Sequence, residues 1–197
     1  MSERTYSATE YFDFGVEAME RDDWALATQM FRAAVQCDPN LVQAHAGLGA
    51  ALGNQGLWSL AVEAHSRALE LEPTDVDTIY NLGVAYGELG RPIESADYFR
   101  RVLDVRPGDR ETMVRLGTEL AEQERFLEAV EYFQTVALAP GDSSFTATAW
   151  ACAGASLIRL GRVDEARLAL ERAKSLEPAL FEHRQEFAQL LAEVGGV

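Results

Sequence analysis

The sequence is poor in lysine and has no long apolar run. It holds one lysine, Lys174, beside sixteen arginines, and its net charge is −15. Such a charge disfavours nucleic-acid binding, because phosphates require a basic surface. No stretch approaches the roughly eighteen apolar residues that span a bilayer, and the start, Met1-Ser2-Glu3-Arg4, opens no apolar signal-peptide core. We therefore expect a cytoplasmic protein that neither binds nucleic acid nor inserts into a membrane.

Cysteine and histidine are also scarce. Cys37 and Cys152 stand at small-residue positions far apart along the chain, which predicts reduced core thiols and no disulfide. The three histidines, His45, His65 and His183, lack the spacing of zinc ligands, and the chain has no glycine-rich phosphate loop or nucleophile elbow. We expect no enzyme activity, no catalytic residues, no cofactor and no metal site.

Proline is the regular feature of the chain. Pro39, Pro73 and Pro107 follow one another at intervals of 34 residues, and Pro140 and Pro178 come after them at similar spacing. In this register small residues superpose upstream of each proline, at Ala27, Ala61, Ser95, Ala129 and Ala166. A fixed period with fixed small and large positions indicates one supersecondary unit that stacks on copies of itself.

Each period has the pattern of two amphipathic helices with a turn between them. Gly56, Gly90 and Gly161 occupy the turn, where a left-handed residue commonly ends a helix. The pattern of Leu-Gly (Leu48-Gly49, for example), small residue, aromatic residue and proline resembles the tetratricopeptide repeat family over residues 8 to 194. The resemblance implies an all-α, right-handed superhelical solenoid of antiparallel helix pairs.

The register predicts a single domain at residues 8 to 195, preceded by a flexible arm at residues 1 to 7. The domain comprises five repeats and a capping helix, at residues 8–41, 42–75, 76–109, 110–143, 147–180 and 181–194. Both ends of the array have the polar character of terminal helices that pack on no further repeat, which favours a complete array.

The register is interrupted between the fourth and fifth repeats, at residues 141 to 145. Either this segment is a longer loop or an early helix start capped by Asp142 or Ser143, or it is a contact loop that carries Phe145. A local change in superhelical curvature is a further interpretation.

In this family, function lies on the concave face, which positions on the first helix of each repeat line. Carried over by resemblance, the expected peptide-binding residues are Phe12, Val16, Met19, Glu20, Gln43, Asn54, Asp77, Tyr80, Asn81, Val84, Glu88, Glu111, Val114, Glu122 and Ile158. Helix packing is the alternative role of the apolar members. Together they predict an apolar floor edged by carboxylates.

The groove lacks the basic residues with which some family members hold acidic peptide tails. Phe12, Val16, Asp77 and Asn81 stand in those places, so a carboxylate clamp is not expected. Residues 1 to 75 carry a net charge of −8, from twelve acids and four bases. A peptide or helical segment with apolar residues and basic flanks fits this groove best.

The sequence thus predicts an adaptor or scaffold with a protein or peptide ligand. Two alternatives stay open: a dedicated chaperone for secreted or membrane-associated clients, and a self-assembling structural scaffold. Nothing in the sequence points specifically to self-association.

Overall fold

The computed structural model describes residues 6–140 and 144–195, and in these ranges every regular element is a helix. The elements are α1 (Ala8–Met19), α2 (Trp24–Cys37), α3 (Val42–Asn54), α4 (Trp58–Leu71), α5 (Val76–Glu88), α6 (Pro92–Val105), α7 (Arg110–Glu122), α8 (Phe126–Leu138), α9 (Ser144–Arg159), α10 (Val163–Leu176), α11 (Pro178–His183) and α12 (Gln185–Gly195). The predicted all-α class built from helix pairs is confirmed.

The chain divides into two compact units, Met1–Tyr98 and Phe99–Val197, and the division falls within α6. In the first unit, α1 packs on α2, α2 on α3, α3 on α4 and α4 on α5, and α3 also contacts both α1 and α5. In the second unit, α7 to α10 pack in the same sequential way, and α9 also contacts α7 and α12. In each unit, therefore, the first helices of neighbouring repeats lie side by side. The single domain from 8 to 195 stays a prediction.

Close packing within a repeat depends on a glycine in the first helix that faces a large side chain in the second. A Cβ atom on Gly117 would lie 2.6 Å from Cε1 of Phe133, and one on Gly15 would lie 2.6 Å from Cε1 of Phe31. Both phenyl rings are fully buried. Any larger residue at these glycines would overlap the ring, so the helices approach closely because the side chain is missing.

The small residues expected from the register are buried as predicted. Ala27, Ala61, Ala129 and Ala166 are at most 1% exposed, and Ser95 fills the same place in the third repeat. The Ser95 hydroxyl donates a hydrogen bond of 2.7 Å to the carbonyl oxygen of Gly83. Its polar atom therefore has a partner in an otherwise apolar contact.

Tyr6 and Ser7, the last two residues of the predicted amino-terminal arm, make defined contacts with α1. Ser7 caps α1 in a reciprocal capping box with Glu10, whose carboxylate accepts from the Ser7 amide at 2.8 Å. The Tyr6 ring packs edge-on against Tyr11 and Phe14, with centroid separations of 5.6 and 5.2 Å. Tyr6 and Ser7 are therefore in contact with α1. Residues 1–5 lie outside the described residues.

The predicted capping helix at 181–194 is broken into α11 and α12. Arg184, with φ −114° and ψ 82°, separates them. Phe181 and Phe187 are six residues apart and would face different sides of one continuous helix. The break lets both rings pack on the same cluster, 6.0 Å apart, where they cover Leu170 and Ala173 of α10.

Two further expectations concern the segment at residues 141 to 145 and the cysteines. Phe145 lies within α9, which begins at Ser144. For this residue the structure agrees with the interpretation as an early helix start and not with the interpretation as a contact loop. Gly141, Asp142 and Ser143 lie outside the described residues. Cys37 is exposed at the end of α2, which corrects its assignment to the core.

The turn between the two helices of each repeat contains one left-handed residue. Gly56, Gly90 and Gly161 have φ of 72°, 67° and 72°, as their glycine identity predicts. Asp22 and Glu124 occupy the same place in the first and fourth repeats, with φ of 57° and 59°. A side chain with a Cβ is strained in this conformation by roughly 1–2 kcal/mol, although aspartate tolerates it better than glutamate.

Replacing Glu124 with glycine should therefore stabilise the protein, by about 1 kcal/mol once the extra freedom of glycine in the unfolded chain is included. Urea unfolding followed by circular dichroism measures the change. Glu124→Ala is the matched control, since alanine keeps the Cβ atom and should give no comparable gain. Equal stabilities for the alanine and glycine variants would contradict the strain at this turn.

Candidate functional site

The apolar residues predicted on α1 serve both the surface and the core. Phe12, Val16 and Met19 are half-buried and pack against the cluster that contains Phe31. The Phe12 and Phe31 rings lie 5.7 Å apart. Only part of each side chain is therefore available to a ligand.

A pocket of about 240 Å³ opens between α3, α4 and α5 in the first unit. We call it the Trp58 pocket. Three predicted site residues, Asn54, Asn81 and Val84, lie in its wall. The remaining wall residues are Gly49, Ala50, Gly53, Trp58, Ala61, His65 and Ala85. The structure thus brings together predicted residues of two repeats and adds two large side chains from a second helix.

Trp58 and His65 were not among the predicted site residues, because both lie on α4 and the prediction used first helices alone. A Cβ on Gly53 would lie 3.1 Å from Cζ3 of Trp58, so the indole reaches the first helices where glycine leaves room. The sequence carried a signal for this contact, since a tryptophan at the start of a second helix coincides with a glycine in the first helix before it.

His65 is a polar residue in a place where other repeats have a large apolar one. Its side chain is 2% exposed, and no described residue bonds its Nδ1 atom. The ring edge with Nε2 lies against Gly49, 2.6 Å from the position of an added Cβ. Burial lowers the pKa of His65 to about 4, opposed by the negative charge of Asp75. The imidazole is therefore neutral at pH 7.

The carboxylates predicted at the groove edge differ in their surroundings. Four of the predicted carboxylates are exposed, namely Glu20, Asp77, Glu88 and Glu122, and Glu111 is half-buried. Of the predicted residues without charge, Gln43 is exposed and Tyr80 is half-buried. Glu111 accepts bonds of 3.1 and 3.0 Å from the Arg115 guanidinium, which offsets its charge. In the described part of the chain, Glu20, Glu88 and Glu122 form no ion pair.

The second unit has two adjoining cavities, of about 310 and 200 Å³, that share Ala121, Glu122, Ala155 and Ser156. Their walls carry charge of both signs. Arg159 lies over the Phe126 ring at 4.8 Å, and Arg184 lies over Phe187 at 4.5 Å. The groove of this unit is thus less acidic than the sequence pattern suggested.

Glu111 and the two predicted apolar site residues of the second unit, Val114 and Ile158, lie away from these cavities. Val114 is 8% exposed, and Ile158 is half-buried against the clusters of α9 and α10. Their packing contacts favour a structural role, which was the alternative for the apolar set.

Across residues 6–140 and 144–195, no three His, Cys, Asp or Glu side chains are grouped as metal ligands would be. In the same ranges no helix is long and apolar enough to cross a membrane.

A family model of the tetratricopeptide repeat matches residues 80–144 and 114–179. No curated protein matches significantly.

Solved structures share the fold at low sequence identity. YrrB, described as a TPR protein with an unusual peptide-binding site, superposes with a TM-score of 0.79 at 21% identity, over 91% of this chain and 92% of its own. A MamA structure gives 0.79 at 20% identity, over 90% and 95% of the two chains. MamA from Desulfovibrio magneticus RS-1, from residue 41 to its end, gives 0.80 at 18% identity, over 87% and 96%.

The buried imidazole predicts a pH dependence of stability. Its pKa is near 4 in the folded chain against 6.5 when unfolded, so between these values the unfolded chain binds the extra proton. Stability should therefore fall as the pH drops from 6.5 towards 4, by up to about 3 kcal/mol. His65→Phe should remove this contribution and raise stability at pH 7, since phenylalanine leaves no unpaired buried nitrogen.

Urea unfolding of the wild type and of His65→Phe at pH 7 and pH 4.5 measures how much stability each protein loses on acidification. The difference between the two losses isolates His65, because the carboxylates titrate in both proteins. His183→Gln is the control at an exposed histidine and should behave like the wild type. A His65→Phe variant that lost as much stability on acidification as the wild type would show that His65 is not the titrating group.

Proposed function

Because the chain belongs to the tetratricopeptide repeat family, we propose that it is a scaffold that holds an apolar peptide segment with basic flanks against its first helices. Proteins of this family are interaction modules with protein or peptide partners. The proposed scaffold acts in the cytoplasm without catalysis, cofactor or nucleic acid. Its net charge of −15 supports the proposal that it does not bind nucleic acid.

The observation that carries this proposal is the Trp58 pocket. Its wall contains Asn54 of α3 and Asn81 and Val84 of α5. These residues lie on first helices of the repeats, where the sequence analysis predicted the ligand-binding face. Apolar walls favour an apolar segment, and asparagine amides both donate and accept bonds from a peptide backbone.

Charge near the pocket supports the basic flanks. Asp77 and Glu88 lie near the two ends of α5 and are both exposed. Arginine or lysine on either side of the apolar residues would meet opposite charge there, which speeds encounter more than it adds affinity. The two alternatives have distinct outcomes: a chaperone would form a stable one-to-one complex with a whole client, and a self-assembling scaffold would grow with concentration.

Selection from a randomised displayed peptide library, followed by Val84→Arg, tests the groove. Val84 is half-buried in the pocket wall, so an arginine there should fill the opening and weaken the selected peptides by about a hundredfold or more. Fluorescence anisotropy with labelled peptides measures the affinity. Leu60→Arg is the matched control, because Leu60 is 39% exposed on α4 outside the pocket and should change affinity little. Equal affinity for both variants would place the ligand elsewhere.

The basic flanks predict that added salt slows association. Exposed charges are screened beyond about 10 Å at 0.1 M salt, so raising the salt from 20 to 200 mM should lower the association rate constant several-fold. Stopped-flow mixing of the selected peptides measures this rate. A rate constant that does not change with salt would contradict the basic flanks and leave the apolar walls and the asparagine amides as the determinants of binding.

A further inference from the structure

The size of the Trp58 pocket limits what it can hold. Its volume is about 240 Å³, whereas pockets for free small molecules usually measure about 300–1,000 Å³. It therefore suits one large side chain of a bound peptide better than a whole ligand. This reasoning rests on the proposed function.

The walls of the pocket favour a flat side chain. On the α3 side, Gly49 and Gly53 have no side chain and Ala50 has only a methyl group, so Asn54 is the larger side chain there. Ala61 and Ala85 also add only methyl groups. The Trp58 indole, which approaches Gly53 closely, supplies an aromatic surface. Aromatic rings pack on one another by stacking or edge contacts and so fill a slot with one such wall.

The same walls disfavour a charged side chain. Among the residues that the structure describes, no Asp, Glu, Lys or Arg lines the pocket, and His65 is neutral because it is buried. A charged group that entered would lose its hydration without gaining a counter-charge. Charge on the ligand is accommodated outside, near Asp77 and Glu88.

His65 also leaves a polar group unpaired in the core next to the pocket. Its Nδ1 atom has no partner in the described residues, although the side chain is 2% exposed. The other repeats have apolar residues here, among them Phe31, Phe133 and Leu170. Histidine at this place costs stability and contributes no internal hydrogen bond to the pocket that it lines. The other edge of the ring, which carries Nε2, lies against Gly49 at the pocket wall and offers one polar atom to a ligand.

We propose that the Trp58 pocket binds one tyrosine side chain of the partner peptide, with the ring against Trp58 and the hydroxyl bonded to His65. A hydroxyl both donates and accepts, so it matches either tautomer of the neutral imidazole. Phenylalanine lacks the group, and lysine carries a charge that the pocket cannot offset.

The pocket is tested without any peptide by titrating p-cresol, toluene and 4-methylbenzylamine into isotopically labelled protein. p-Cresol should shift the amide resonances of Gly49, Gly53 and Val84 and bind about tenfold more tightly than toluene. The charged amine should bind more weakly than toluene. In His65→Phe the preference for p-cresol over toluene should disappear while toluene still binds.

Peptides of the form Arg-Arg-Ala-X-Ala-Arg-Arg, with tyrosine, phenylalanine, alanine or lysine at X, then link the pocket to the proposed function. The tyrosine peptide should bind about tenfold more tightly than the phenylalanine peptide and lose this advantage in His65→Phe. Val84→Arg, at a half-exposed position, gives a second variant that should block p-cresol and peptide alike.

Three outcomes overturn a part of the reasoning. Peptides that bind with no preference at X overturn the tyrosine pocket and leave the proposed function intact. A preference for p-cresol that persists in His65→Phe overturns the role of His65. Occupancy by p-cresol without binding of any peptide overturns the proposed function.

Discussion

The contact between a glycine of one helix and a large side chain of the next is the constraint on which the structure depends. Phe133 fills the space that a side chain on Gly117 would need, and Phe31 does the same at Gly15. Neither helix can move outward without opening a cavity, nor inward without overlap. The pair distance is therefore set locally, and Gly49 with His65 and Gly154 with Leu170 make the corresponding contact in the second and fifth repeats.

The second repeat keeps this geometry and changes its chemistry. His65 stands where an aromatic or aliphatic side chain would serve packing better, and its imidazole is held neutral against Gly49. A buried polar atom without a partner costs stability, and such costs are commonly retained where they serve a site. The Trp58 pocket lies beside this exception, so the departure from the packing rule and the candidate site coincide.

The two units differ in the electrostatics of their cavities. None of the described residues that line the Trp58 pocket is charged at pH 7, whereas the cavities of the second unit include Glu122, Arg159 and Arg184. Both arginines lie over aromatic rings, which holds their guanidinium groups near the cavity walls. One repeat architecture thus presents an uncharged pocket in one unit and a charged groove in the other.

The sequence alone determined the repeat, the helix pairs and the turns, because each depends on residues close together in the chain. The left-handed glycines, such as Gly90, follow from local backbone sterics in this way. Only the tertiary structure decided the Trp58 pocket, the break at Arg184 and the exposure of Cys37. The physical reason is that burial and cavity shape depend on side chains from several helices at once, and a period along the chain does not show which side chains from neighbouring helices meet.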